Sequence, residues 1–205
     1  MIKTIIFDIG NVLMRFDYMR YIQELLGDDE SVYLVNGAIW RSGNWNDLDR
    51  GEDYEVVLSR MLQAEPAYAS DIRRVMENIG QCMFKQDYAI PWIQDLKQRG
   101  YQVLYLSNYS RHIMEVKPEV LDFLPYTDGG VFSCDVHLVK PDPAIYQTIC
   151  SKYSLTPGEC VFLDDSADNV RAAQAFGLKA IHVSAYEQAR AELEALLAEE
   201  EFNDD

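Results

Sequence analysis

Residues 3–12 read Lys-Thr-Ile-Ile-Phe-Asp-Ile-Gly-Asn-Val. Lys3 to Phe7 is largely apolar and lacks polar alternation, which suits a strand covered on both faces. Asp8 ends the run. No small-residue cleavage site follows, so the start of the chain reads as a strand rather than a signal peptide. Ligands of open α/β sheets bind at the carboxyl ends of the strands. Asp8 therefore stands where such a sheet does its chemistry, and the residues that end the other strands become the next question.

Four further short runs have the same character: Val103 to Leu106, Val131 to Ser133, Val161 to Leu163 and Ala180 to Val183. Helical patterns lie between the later ones. Ile90, Ile93 and Leu96 share a face, with Gly100 as a stop. Pro141 and Pro143 suit the start of a helix carrying Ile145 and Ile149. Val170, Ala173 and Phe176 mark another, closed by Gly177. Strands alternating with helices predict an α/β fold with a doubly wound, Rossmann-like parallel sheet. Residues 16–85 break this rhythm. Tyr21, Leu25 and Leu26, then Val56, Val57, Leu58 and Met61, fall at helix spacing around a turn-rich piece, Arg41 to Gly51. No buried strand stands out there. The expected organisation is a core of residues 1–15 and 86–205, with an all-helical cap of residues 16–85 inserted after the first strand.

At 205 residues, with 48% hydrophobic and 25% charged, the chain is long enough to bury a sizeable core. No apolar run approaches the roughly 20 residues that span a bilayer. Cys82, Cys134, Cys150 and Cys160 are widely spaced within apolar stretches and form no zinc pattern. Reduced, buried thiols in a cytoplasmic protein are expected. The acidic tail, Glu199 to Asp205, is expected to be solvated. The net charge of −16 argues against nucleic acid and against an anionic membrane surface as partners. It also repels a phosphate ester at long range. A phosphate site here must be made locally positive by a cation, a lysine or backbone N–H groups. A monomer or a small homo-oligomer is expected.

The strand ends supply such parts. Asp8 follows the first strand and Ser107-Asn108 the second. Lys140 follows the third after a short loop. Asp164-Asp165-Ser166 follows the fourth, with Asn169 a helical turn on. A carboxylate can serve as a covalent nucleophile. Mg²⁺ takes oxygen ligands, commonly one or two carboxylates plus waters, and Asp8 and Asp165 can supply them. Phosphoryl transfer spreads charge over equatorial oxygens that donors must meet; Ser107, nearby backbone N–H groups and Lys140 suit that task. Taken singly, each residue has a plainer reading. Asp8 suits a turn cap, Ser107 and Asn108 suit turn positions, and Asp164 and Asp165 suit the cap of a helix starting near Ser166. Their delivery to one sheet edge favours chemistry.

Four segments carry a resemblance. IIFDIGNVLMRFD (5–17), LSNYS (106–110), LVKPDPAIY (138–146) and VFLDDSADN (161–169) resemble, in order, the four signatures of the haloacid dehalogenase superfamily. The subclass with a helical cap after the first signature fits best. Within it the chain is similar to bacterial sugar-phosphate phosphatases of the FDxGNV kind, those acting on α-glucose-1-phosphate among them. The resemblance implies a Mg²⁺-dependent phosphatase acting on a small phosphorylated metabolite. It makes Asp8 the nucleophile and, with Asp165 and the Gly10 carbonyl, a metal ligand. Asp164 would be a neighbouring ligand, direct or through water. Ser107 and Asn108 would bind phosphate, Lys140 would steady nucleophile and phosphate, and Asn169 would support the acidic loop.

Gly10 departs from the pattern, because the family usually carries a second Asp there as general acid and base. Asp17, at the start of the cap, is the candidate replacement, although a helix cap is its plainer role. Trp45 is the candidate substrate contact of the cap, with Trp40 and Arg50 nearby as cap residues. His112, His137 and His182 lack metal-ligand spacing and read as structural or surface groups. Two rival functions remain: a haloacid dehalogenase, which needs no metal, and a weakly catalytic member that binds a phosphometabolite or protein partner.

Overall fold

The computed structural model describes residues 1–203, with side chains as far as Glu199. Its strands are β1 (Thr4–Phe7), β2 (Met14–Phe16), β3 (Met83–Lys85), β4 (Gln102–Ser107), β5 (Gly130–Phe132), β6 (Cys160–Asp164) and β7 (Lys179–His182). Five of them form a parallel sheet in the order β5-β4-β1-β6-β7. All four residues of β1 are buried. Successive side chains leave a strand on opposite faces, and two clusters result. Ile5 and Phe7 pack with Trp92 and Ile93 of α6 (Ala89–Gln98) and with Leu193 of α11 (Tyr186–Asn203). Phe7 meets Trp92 nearly edge-on, with centroids 4.8 Å apart. Ile6 packs on the other face with Tyr146 and Ile149 of α9 (Pro143–Tyr153) and Ala173 of α10 (Ala167–Phe176). The predicted doubly wound sheet is thus present, with helices on both faces.

Between β2 and β3 the chain is helical. It carries α1 (Tyr18–Leu26), α2 (Asp29–Asn36), a π-helical stretch (Gly37–Arg41), α3 (Asn44–Asp49), α4 (Tyr54–Ala64) and α5 (Ala69–Glu77). The sequence reading missed the ribbon that opens and closes this segment. β2 and β3 pair antiparallel, with Met14 opposite Lys85 and Phe16 opposite Met83. Each is three residues long and only partly buried, so neither shows the continuous apolar run that marks the central strands. The third core strand also sits one residue earlier than expected, and Ser133 opens α8 (Ser133–Val136) instead of ending β5. The acidic tail read from Glu199 to Asp205 falls mostly outside the described side chains.

One of the places where the segment is tied to the core is the short stretch from Asp49 to Gly51. Ser133 Oγ donates to the Asp49 carbonyl at 2.5 Å. His137 Nδ1 lies 2.7 Å from the Arg50 carbonyl. Gly51 follows at φ +87°, where an added Cβ would meet the Cys134 carbonyl oxygen at 2.7 Å. Only glycine allows both that conformation and that approach. α7 (Arg111–Val116) also borders the contact, and its His112 ring stacks on Tyr54 at 3.6 Å.

Ile6 is fully buried. Ile6→Ala should cost about 2–5 kcal/mol in urea unfolding, the usual range for emptying such a core site. Val56→Ala, at a helix position 54% exposed, should stay within about 0.5 kcal/mol.

Candidate active site

The ends of β1, β4 and β6 and the loop after α8 converge on one ammonium. Lys140 Nζ donates to Asp164 Oδ2 at 2.7 Å and to the Leu106 carbonyl at 2.9 Å. It lies 2.7 Å from Asp8 Oδ1, where charge pairs without a well-aligned hydrogen bond. Its side chain is 1% exposed. Burial alone disfavours that charge, but Asp164 and Asp8 outweigh it and hold the ammonium above its ordinary range. Burial is also the main influence on Asp8, with Asp164 and Asp165 adding to it against the pull of Lys140. Together they push the Asp8 carboxyl up to about 7. Burial likewise raises Asp165. Asp8, Asp164 and Asp165 offer oxygens within 4.8 Å of one another. Three carboxylates against one lysine leave an excess of negative charge, and a bound cation inverts the local titration. The buried Asp8 Oδ1 without an aligned donor fits the same conclusion.

The three acids are not equivalent. Asp164 accepts from Ser166 N–H, from Asn169 Nδ2 through both oxygens, and from Lys140. A carboxylate has about four lone-pair sites, so Asp164 is filled. It anchors Lys140 and the acidic loop, while Asp8 and Asp165 keep room for a cation. This narrows the role expected for Asp164 as a ligand. Asn169 reaches the acidic loop from the first turn of α10. Asn11 was missed: Nδ2 donates to Asp165 Oδ2 at 2.9 Å, and Oδ1 accepts from Phe16 N–H. The residue adopts φ +55°, a conformation Asn tolerates better than most residues. Its place directly after Gly10 was the available signal.

Above this floor lies a cleft of about 180 Å³. Asp8, Gly10, Ser107, Asn108 and Asp165 form its polar side. Met14, Phe16, Trp45, Met83, Tyr109 and Ile113 form an apolar one. Trp45 is held by a stack running through Trp40 to Tyr18, with centroids 5.3 and 4.4 Å apart. Arg50 pairs with Asp47, outside the cleft wall. Asn108 borders the cleft, and its amide also holds the backbone of Lys140, donating to the carbonyl at 3.0 Å and accepting from the N–H at 2.8 Å. It clamps two loops together and keeps a second amide N–H at the cleft border. Gly10 has open space at the position of a Cβ.

Asp17 is not in the cleft wall. Along β2, Met14 and Phe16 face the cleft, while Arg15 and Asp17 line a separate hollow with Arg20 and Glu24. The period of two in a strand turns Asp17 away, and the structure corrects its candidacy as acid and base. Asp49 is the acidic residue of the inserted segment that does reach the cleft. It was missed although it stands four residues after Trp45, and helix positions i and i+4 share a face. Burial outweighs the pull of Lys140 and, with Asp8 adding to it, pushes its carboxyl up to about 7. The three histidines make the structural contacts expected of them, with Tyr54, with the Arg50 carbonyl, and between His182 Nε2 and the Asp165 carbonyl. All four cysteines are free and buried. Among the described residues no helix is long and apolar enough to cross a membrane.

A parallel sheet whose strand ends deliver a buried carboxylate, a buried lysine and an acidic pair fits a class of hydrolase. The model of the haloacid dehalogenase-like hydrolase family matches residues 2–177, and the chain belongs to that family. It is 25% identical over 183 residues to the sesquiterpene phosphatase astK of Aspergillus oryzae, covering 89% of this chain and 90% of that protein. It is 37% identical over 109 residues to acyl-CoA dehydrogenase family member 10 of Mus musculus, which covers 51% of this chain but only 10% of that much longer protein. A haloacid dehalogenase family enzyme of Bacteroides thetaiotaomicron, solved with magnesium and inorganic phosphate, shares the fold. Its TM-score is 0.67 at 19% identity, with 90% of this chain and 96% of that one covered.

The raised Asp49 carboxyl gives a pH dependence with a definite sign. An acid whose folded value lies above its unfolded value keeps a proton that the unfolded chain gives up. Stability from this group is therefore full below pH about 4 and lost as pH rises to about 7. One proton contributes at most about 1.4 kcal/mol per pH unit. Urea unfolding in EDTA should show the stability of wild type relative to Asp49→Asn falling across that window. A constant difference would show that Asp49 titrates normally.

Proposed function

We propose that the cleft hydrolyses small phosphate monoesters through a phosphoaspartyl intermediate on Asp8. The observation that carries this reading is the buried Asp8–Lys140 pair at the floor of the cleft, with Asp165 beside it and Ser107 across it. Lys140 lies against the Asp8 carboxylate and supplies one positive charge. Ser107 and the backbone after it border the space a phosphate would take. Asp8, Asp165 and the Gly10 carbonyl are the groups that would hold Mg²⁺. The ion, when bound, neutralises the carboxylates and the phosphate oxygens. Its binding is supported by the charge excess of the site and by the magnesium in the Bacteroides thetaiotaomicron neighbour.

A sugar phosphate fits the resemblance in the sequence and the size of the cleft. Its polar groups would meet Asp49, and its ring would lie on Trp45. The apolar wall of Phe16, Trp45, Met83 and Ile113 favours a second reading, in which the alcohol is itself apolar. The Aspergillus oryzae relative, a sesquiterpene phosphatase, points the same way. A dehalogenase is disfavoured by the cluster of three carboxylates, which suits a metal-assisted reaction better than a metal-free one.

A panel of sugar, aryl and prenyl phosphates, assayed with Mg²⁺ and with EDTA, tests all three. Phosphate release dependent on Mg²⁺ is expected, and the preferred alcohol identifies the class. Halide release from a 2-haloacid in EDTA, with no phosphate release anywhere, would reject the reading. Asp8→Asn should remove turnover by at least about a thousandfold, because it removes the nucleophile that the covalent path requires. Asp165→Ala should raise the Mg²⁺ concentration needed for half-maximal rate by about tenfold or more, in line with losses at metal sites. An unchanged Mg²⁺ titration would place the ion elsewhere.

A further inference from the structure

An ester oxygen leaving phosphorus needs a proton unless its alcohol is already acidic. The cleft offers few groups to give one. Of its ionisable lining residues, Asp8 is committed to attack and Asp165 faces the cation position. Tyr109 is held above the ordinary phenol range by burial. Asp164 is filled and Asp17 is elsewhere. Asp49 remains. It is 5% exposed, stands in the cleft wall, and belongs to the segment that covers the sheet edge. Its neighbour Asp47 points outward to Arg50 and Arg60, so the two acids of α3 have different surroundings.

The position of Asp49 is fixed from the core. Ser133 Oγ donates to the Asp49 carbonyl and accepts from the Tyr109 N–H at 2.9 Å. One hydroxyl thus joins α3 to the loop that carries Ser107 and Asn108. Gly51, which admits no side chain against Cys134, keeps the contact close.

We propose that Asp49 is the general acid and base of the reaction, supplied by the inserted segment, with Ser133 as its positioning residue. The assignment rests on the phosphoaspartyl reading above. In the first step an Asp8 oxygen attacks phosphorus and the bond from phosphorus to the ester oxygen breaks. The electron pair stays on that oxygen, which takes the proton of Asp49 and leaves as the alcohol. In the second step a water oxygen attacks the phosphoaspartate at phosphorus, and its proton passes to Asp49. The bond from phosphorus to Asp8 breaks, which frees phosphate and restores both carboxyls. Burial pushes the Asp49 carboxyl up to about 7, near the value at which a group serves both steps.

Asp49→Asn tests this against substrates of different leaving-group acidity. kcat/KM reports the first step. It should fall about 10²-fold or more for alkyl phosphates, the usual worth of general acid catalysis. For p-nitrophenyl phosphate, whose alcohol leaves as a stable anion, it should stay within about threefold on the same grounds. The second step lacks its base in the variant. p-Nitrophenol should therefore appear as a burst of one equivalent followed by slow turnover, with phosphate held on Asp8. Equal losses of kcat/KM for both substrates, or no loss for either, would overturn the assignment. Should Asp49→Asn fail to fold, Ser133→Ala carries the test. It keeps the carboxyl and removes its tether, so alkyl phosphates should again lose more kcat/KM than p-nitrophenyl phosphate, and an equal loss overturns the proposal. Absence of p-nitrophenyl phosphate turnover in the wild-type enzyme with Mg²⁺ would instead reject the phosphoaspartyl reading itself.

Discussion

A single buried ammonium organises this molecule. Removing an ion from water costs several kcal/mol even after the protein relaxes, and only close partners offset it. Lys140 finds them because β4, β1 and β6 are adjacent in the sheet. Their ends bring the Leu106 carbonyl, Asp8 and Asp164 around one point. Asp164 and the lysine's own backbone are then held from further out. Asn169 and the Ser166 N–H fix Asp164, and Asn108 grips the Lys140 backbone from both sides. The reactive geometry is thus a property of strand order, and no single loop carries it.

That arrangement also answers the problem set by a net charge of −16. The long-range field of the protein opposes an anionic substrate, so attraction must come from a few groups at short range, where low dielectric strengthens each interaction. The cleft divides the work between its two sides. Charged and polar groups gather at the sheet edge, and the aromatic stack built on Trp45 supplies area without charge.

How much of this could be read in the sequence follows from what each signal depends on. The central strands were legible because burial on both faces leaves no polar alternation, and Asp8 was legible because a charge ended such a run. β2 and β3 were not, since three half-buried residues gain strand character only from a partner far along the chain. Asp17 illustrates the limit of proximity in sequence. It lies near Asp8 along the chain, yet one step of strand alternation turns it outward. Asp49 is remote in sequence and arrives by way of a six-residue helix and a hydrogen bond from Ser133. Asn108 shows a third case: the residue type was informative, but its hold on the Lys140 backbone depends on a loop that the sequence does not position.

The ribbon of β2 and β3 has a meaning beyond pairing. Opposite residues of an antiparallel pair lie roughly 5 Å apart, so the chain departs from the sheet and returns to it at nearly one point. Everything between those strands can then be lengthened, shortened or replaced without rethreading the parallel sheet, because loop closure across so small a gap grows only slowly with length. The floor of the cleft is in this sense a fixed socket, and the segment above it an exchangeable fitting. New substrates can be reached by altering the fitting while the buried lysine and its carboxylates stay as they are.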